Sequence, residues 1–307
     1  MTLAILCAGQ GAQHPDMFER LAAEEAARPT LAEISLRTGL DVMSGRIAAP
    51  PEALTENRVA QLLVVGHAVA TFAALSANGI EASVCAGYSA GEIAAHACAG
   101  AFPEGRALAV VARRAACMDA ACAGRPRQGM VAAIGLSVAD AERLADETGV
   151  FVAIVNGPDH VVIGGAADDV ERFAVEAELR ARHVRRLGVR VASHTPLLAA
   201  AGPPFAEAIR ASGWRPPVAT VLAGIDGRAL RSVEDAAHYL SIQLHDRLDW
   251  ARCLASVLEY GATATLEIGS GRALTRMVEE AYPDVPARAF EDFRSAAGAA
   301  AWARRHA

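Results

Sequence analysis

The feature that most constrains this chain is the run SVCAGYSAGE, Ser83 to Glu92. Ser83 to Gly87 has the short apolar character of a buried strand, and a helical pattern over Ala90 to Ala99 follows with no linker between. Ser89 stands in the join, inside Gly87-Tyr88-Ser89-Ala90-Gly91, which has the form GxSxG. A strand that turns this abruptly into a helix brings backbone segments too close for larger side chains, so glycine is needed on both flanks. The serine is left strained and exposed, at a helix N-terminus whose free N–H groups favour negative charge. That is the context of a nucleophile elbow, and it predicts an α/β fold. Composition agrees. Hydrophobic residues make up 53% of the 307 and aromatics only 5%. A core rich in Ala, Val and Leu suits helices packed on a parallel sheet and excludes a disordered chain.

Around the elbow, Leu3 to Ala8 reads as a strand ending in a Gly-Gln-Gly loop. Met17 to Ala27, Leu31 to Thr38, Val59 to Leu75 and the stretch from Pro103 to about Cys122 read as helices. The pattern changes after Arg125-Pro-Arg-Gln-Gly, a linker or mobile loop. Strand, helix, strand, strand, helix and strand follow in turn between Met130 and Leu187, which is the split order of a ferredoxin-like unit. The main body resumes with a helix over Pro196 to Ser212, a strand at Thr220 to Ala223 and helices at Ala236 to Leu244 and Trp250 to Tyr260. A strand at Ala264 to Ile268 and a helix from Arg272 complete the reading. The expected architecture is a large α/β-hydrolase-like domain, 1–125 and 191–307, with a mostly parallel sheet. A small ferredoxin-like subdomain, 126–190, is inserted into it, and the site lies in the cleft between the two.

Charge and cysteine usage narrow the function. The formal net charge is −6, without a long basic run, so nucleic acid is not an expected partner. The nearest candidate, Arg180, Arg182, His183, Arg185, Arg186 and Arg190, reads first as a solvated helix end and strand. Its alternative is a docking surface for an acidic carrier protein or coenzyme A phosphates. The six cysteines form no CxxC pair and no zinc spacing. No apolar run has the length of a membrane span, and the first residues lack a secretory signal. We therefore expect a cytoplasmic protein with reduced cysteines, no metal and no bound cofactor.

A serine hydroxyl needs a base. His194, in Val191-Ala-Ser-His-Thr-Pro, follows a strand-like run and precedes a helix, and is the candidate. With these residues in view, the chain resembles the malonyl-CoA:acyl-carrier-protein transacylase family along nearly its whole length. Gly9 to Gln13 matches the family's glycine–glutamine loop, and Gly87 to Glu92 its GHSxGE elbow. Gln128-Gly-Met with Ala133-Ile-Gly, Asn156 to Gly165 and Glu267-Ile-Gly-Ser-Gly resemble further segments in the same order. Ser193-His194 matches the catalytic histidine, and Arg114 stands where the family carries a carboxylate-binding arginine.

The resemblance implies an acyltransferase, an acyl-carrier-protein S-malonyltransferase with a ping-pong mechanism. Ser89 and His194 would be catalytic, and the backbone N–H groups of Gln10 and Ala90 would form the oxyanion hole. Malonyl-CoA would be the substrate and a carrier with a phosphopantetheine-type arm the partner. Arg114 would grip the malonyl carboxylate bidentately, which acetyl cannot offer. No acid between Ser89 and His194 stands out as a third triad member. The family orients its histidine with a backbone carbonyl, and the residue aligned with that role is Asp249, whose other reading is a helix N-cap before Trp250.

Two departures from the family pattern carry information. Tyr88 replaces the elbow histidine usual in the fatty-acid enzymes, and Ala8 replaces the proline before Gly-Gln-Gly. The first, with the opening phrase ILCAGQGAQHPDMF, resembles the epsilon subunit of malonate decarboxylase, which loads the decarboxylase's own carrier subunit. That branch is favoured over the fatty-acid enzyme, and it adds the other decarboxylase subunits as partners. Small Ser193 before the histidine does not exclude methylmalonyl. The other readings are a serine esterase or thioesterase and a non-catalytic carrier-docking subunit. Arg114 and the Gln10 loop argue against the first, and the complete residue set against the second.

Overall fold

The computed structural model describes residues 2–103 and 105–307. The chain opens with strand β1 (Leu3–Cys7), then helices α1 (Arg28–Thr38) and α2 (Asn57–Ala77). Strand β2 (Val84–Gly87) leads through the elbow into α3 (Gly91–Cys98), and α4 (Arg106–Cys122) follows. Next come β3 (Gln128–Ile134), α5 (Val138–Thr148), β4 (Phe151–Gly157), β5 (His160–Ala166), α6 (Ala167–Glu178) and β6 (His183–Arg186). The return to the main body brings α7 (Gly202–Arg210), β7 (Thr220–Leu222), β8 (Ala229–Leu230) and α8 (Val233–Ile242). The chain ends with β9 (Leu248–Asp249), α9 (Trp250–Glu259), β10 (Ala264–Ile268), α10 (Ala273–Ala281), β11 (Ala287–Ala289) and α11 (Ala296–His306).

The larger sheet has the order β11-β10-β1-β2-β7-β8 and is parallel throughout except for the β7–β8 pair. β1 lies inside it with all five residues buried, as a strand covered on both faces requires. Because β1 and β2 are neighbours, the loop after β1 and the elbow after β2 emerge side by side. α2 is long and apolar enough to cross a bilayer, yet most of it is buried against α1, α3 and α4. It is the core helix of the large layer.

The second sheet has the order β6-β3-β5-β4-β9. Its first four strands are mutually antiparallel in the ferredoxin-like order, with α5 and α6 packed on one face around Phe173, Leu144 and Ile163. Its fifth strand differs from expectation: β9 comes from the main body and pairs parallel with β4. The insertion is thus stitched to the large domain by backbone hydrogen bonds, not only by its two linkers.

Two expected helices also differ. Between Met17 and Glu24 the chain makes successive i→i+3 turns, Leu21 N–H to Phe18 and Glu24 N–H to Leu21 among them, before a 3₁₀ turn at Glu25–Ala27. These turns bury Met17, Phe18 and Leu21 as a helix would. The expected helix from Pro196 splits into a 3₁₀ segment, Pro196–Ala201, and α7, because Pro203 and Pro204 favour a fresh helix start.

Candidate active site

The elbow is as tight as its glycines require. A Cβ on Gly87 would sit 2.2 Å from the Gly91 carbonyl carbon, and one on Gly91 would sit 2.3 Å from the Cys7 oxygen. Ser89 has φ 55° and His194 φ 63°, and among the described residues they are the only non-glycine positions with positive φ. Such backbone costs roughly 1–3 kcal/mol per residue and persists only where the surroundings over-determine it. At His194 they do: its N–H donates to the Leu244 carbonyl at 2.8 Å.

Strain brings the two side chains together. His194 Nε2 lies 2.7 Å from Ser89 Oγ, and His194 Nδ1 lies 2.5 Å from the Gln243 carbonyl oxygen. A carbonyl can only accept, so Nδ1 carries the proton and Nε2 presents its lone pair to the serine. Burial, with the Arg114 charge adding to it, lowers the histidine pKa to about 3. The imidazole is therefore neutral at neutral pH. This arrangement corrects the expectation for Asp249. The orienting carbonyl belongs to Gln243, at the end of α8, and the carboxylate of Asp249 accepts the Arg252 N–H and caps α9.

Arg114, on α4, is 1% exposed. Its Nη1 donates to Gln61 Oε1 at 2.8 Å, and its Nη2 donates to Gln243 Oε1 at 3.0 Å and approaches Ser89 Oγ at 3.4 Å. Burial lowers its pKa to about 10, so it stays charged at neutral pH. Gln243 binds the cluster together. Its Nε2 donates to Glu92 Oε2 at 2.6 Å and to the Ser89 carbonyl at 3.3 Å. Glu92 also accepts the Gly224 N–H, and burial raises its pKa to about 7. Motif reading missed Gln243 and Gln61, which reach the site from α8 and α2.

The backbone N–H groups of Gln10 and Ala90 have no acceptor among the described residues. Gln10 follows β1 and Ala90 follows β2, so the parallel pairing of those strands brings both beside Ser89. Tyr88 packs edge-on against Trp250 with ring centroids 5.3 Å apart. A cavity of about 550 Å³ reaches His194 from between α5, the start of β4 and residues 245–247. A larger one, about 690 Å³, lies between α1, α2 and α4 and is lined by none of these residues. In the basic run, Arg180, Arg182 and Arg186 are paired with Glu176, Asp159, Glu171 and Glu178, so that surface is largely self-neutralised.

A neutral base hydrogen-bonded to a strained serine, with two free N–H groups and a buried cation alongside, is equipped to acylate and deacylate a hydroxyl. Known proteins agree. A malonyl CoA-acyl carrier protein transacylase of Mycobacterium tuberculosis is 32% identical over 290 residues, covering 94% of this chain and 95% of that protein. The crystal structure of malonyl-CoA:acyl carrier protein transacylase from Xanthomonas oryzae pv. oryzae superposes with a TM-score of 0.89 at 29% identity, covering all of both chains. A malonyl-transacylase solved in complex with its type II PKS acyl-carrier protein has a TM-score of 0.89 at 28% identity, covering 97% of this chain and 99% of that one. Residues 5–306 match the acyl transferase domain, and the chain belongs to that family of acyltransferases.

Proposed function

We propose that this enzyme transfers malonyl from malonyl-CoA to the thiol of an acyl carrier protein through a malonyl ester of Ser89. The observation that carries the reading is Arg114: a buried guanidinium whose Nη2 lies 3.4 Å from the nucleophile. An acyl group that ends in a carboxylate satisfies that charge, and an acetyl group does not. The transacylases that the chain resembles support the same substrate pair.

The steps follow from the contacts. Ser89 Oγ attacks the thioester carbonyl as its proton passes to His194 Nε2. The Gln243 carbonyl holds the imidazolium through Nδ1–H. The oxyanion lies between the Gln10 and Ala90 N–H groups, and such donors are worth on the order of 10²–10³-fold in rate. Collapse expels the coenzyme A thiolate, which takes the proton from His194. The carrier thiol then gives its proton to His194 and attacks the malonyl ester, and Ser89 recovers the proton on leaving. Protein groups meet each charge and proton in this ping-pong cycle: Arg114 the acyl carboxylate, the Gln10 and Ala90 N–H groups the oxyanion, and His194, backed by the Gln243 carbonyl, the proton.

For the acceptor we propose the carrier subunit of malonate decarboxylase. Tyr88 at the elbow and the opening phrase ILCAGQGAQHPDMF support this branch. The test is to load the enzyme with radiolabelled malonyl-CoA and offer it a malonate decarboxylase carrier and a fatty-acid carrier in turn. Faster discharge to the former supports the branch. Equal or slower discharge assigns the enzyme to the fatty-acid carrier, and release of free malonate without transfer would make it a thioesterase.

A further inference from the structure

We propose that Gln61 is a specificity-determining residue: a neutral amide placed where a carboxylate would cancel the charge of Arg114. The inference rests on the malonyl reading above and adds to it the reason why the arginine is available. A buried guanidinium ordinarily takes a carboxylate partner, because an unpaired buried charge is expensive. Here it does not. Its terminal nitrogens donate to Gln61 Oε1, to Gln243 Oε1 and to the sulfur of Met118 at 3.3 Å, all of them uncharged. Among the described residues Arg114 forms no ion pair, although sixteen are present elsewhere on the chain. The nearest acid in the network, Glu92, is separated from the guanidinium by the amide of Gln243.

Gln61 is held in register for this task. It is fully buried on α2, and its Nε2 donates to Asn57 Oδ1 at 2.7 Å, which turns Oε1 toward Arg114. Two amide oxygens thus orient the guanidinium and satisfy part of its hydrogen bonding while leaving its full charge for the substrate. A glutamate at 61 has nearly the same shape but would form the ion pair internally. The incoming acyl carboxylate would then meet a neutral pair and a nearby negative charge.

The experiment compares wild type, Gln61→Glu and Gln61→Leu for the ratio of malonyl-CoA to acetyl-CoA kcat/KM. Labelling of Ser89 by a fluorophosphonate reports whether the Ser89–His194 pair survives. Gln61→Glu is expected to lower the malonyl-to-acetyl ratio on the order of 10²-fold, the scale of a close charge pair lost. Gln61→Leu keeps the Arg114 charge and should lower the ratio less than about tenfold, the scale of one neutral hydrogen bond. A Gln61→Glu enzyme that labels normally and keeps the wild-type ratio overturns the proposal, as does an equal loss in both variants. Should Gln61→Glu fail to label, Met118→Glu brings a carboxylate to the same terminal nitrogen, leaves the Gln243–Glu92 contacts in place, and is judged by the same ratio. A wild type with no malonyl preference would instead overturn the functional reading itself.

Discussion

Arg114→Leu separates the two things a buried arginine can do, hold the fold or hold the substrate. The side chain is 1% exposed and donates to two amide oxygens, Gln61 Oε1 and Gln243 Oε1. Removing it orphans both acceptors, at about 1–3 kcal/mol each. It also relieves a buried charge without a carboxylate partner, which offsets much of that cost. Stability should therefore shift by only about 1–2 kcal/mol, the small residue of these opposing terms. The effect on malonyl transfer is one-sided. The proposed contact to the acyl carboxylate would be lost, worth about 2–5 kcal/mol in a dry site, or roughly 30- to 4000-fold. Acetyl-CoA has no carboxylate and escapes this term. The assay is the ratio of malonyl to acetyl kcat/KM, with urea unfolding run in parallel. A ratio within about threefold of wild type, in a folded variant, would refute the assignment of Arg114 as the carboxylate partner. Arg114→Lys should fall between, since it keeps the charge and loses the planar fork.

Two further outcomes concern pH. Burial and Arg114 depress the His194 pKa to about 3, so its neutral form persists well below the ordinary histidine range. Acylation of Ser89 by malonyl-CoA in a Glu92→Gln background, which removes the other group titrating near neutrality, should then show no inflection near pH 6.5 in a stopped-flow pH profile down to about pH 5; an inflection there contradicts the neutral-base geometry. Burial raises Glu92 in the opposite sense, from 4.5 to about 7. The folded state then binds more protons than the unfolded one between these values, so this group's contribution to stability is complete below about pH 4.5 and lost as pH rises through 7. The shift is worth about 3 kcal/mol. Glu92→Gln should flatten the fall in urea-unfolding free energy between pH 5 and pH 7.5, and an unchanged slope would show that Glu92 titrates normally.

What the sequence revealed of this site follows from how each residue acts. Ser89 was legible because its elbow needs glycine at 87 and 91, where the added Cβ atoms collide with backbone. His194 and Arg114 were legible because their side chains carry the chemistry and stand in recognisable surroundings. Gln243 orients His194 through a main-chain carbonyl, a group every residue has, so no side-chain pattern marks it. Asp249 aligns only loosely with the family's orienting carbonyl, and its helix-cap reading is the one that holds: its carboxylate begins α9 while the Gln243 carbonyl meets His194. Gln61 sits in the apolar run of α2, where one polar residue gives no sign that Arg114 lies opposite.

The same distinction holds for the fold. β1, β2 and β10 are buried apolar runs, and the alternation of strands and helices from β3 to β6 marks the inserted unit in the sequence. β9 has two residues and is a strand only because β4 lies alongside, so its pairing depends on tertiary contact that local sequence does not encode. β8, β11 and α11 were not distinguished. The first two are very short, and α11 is an alanine-rich stretch without a clear polar face. At Met17 to Ala27 the apolar spacing suggests a helix where the chain makes consecutive turns, because such turns place side chains with a similar period.

The most direct test of the account is the intact mass of the purified protein after brief exposure to malonyl-CoA or acetyl-CoA, with Ser89→Ala alongside. The account predicts a single malonyl adduct on Ser89 that persists in buffer, is discharged by a pantetheine thiol, forms far less with acetyl-CoA, and is absent from Ser89→Ala. An adduct of the same size on the Ser89→Ala protein, or equal labelling by the two thioesters, would contradict it.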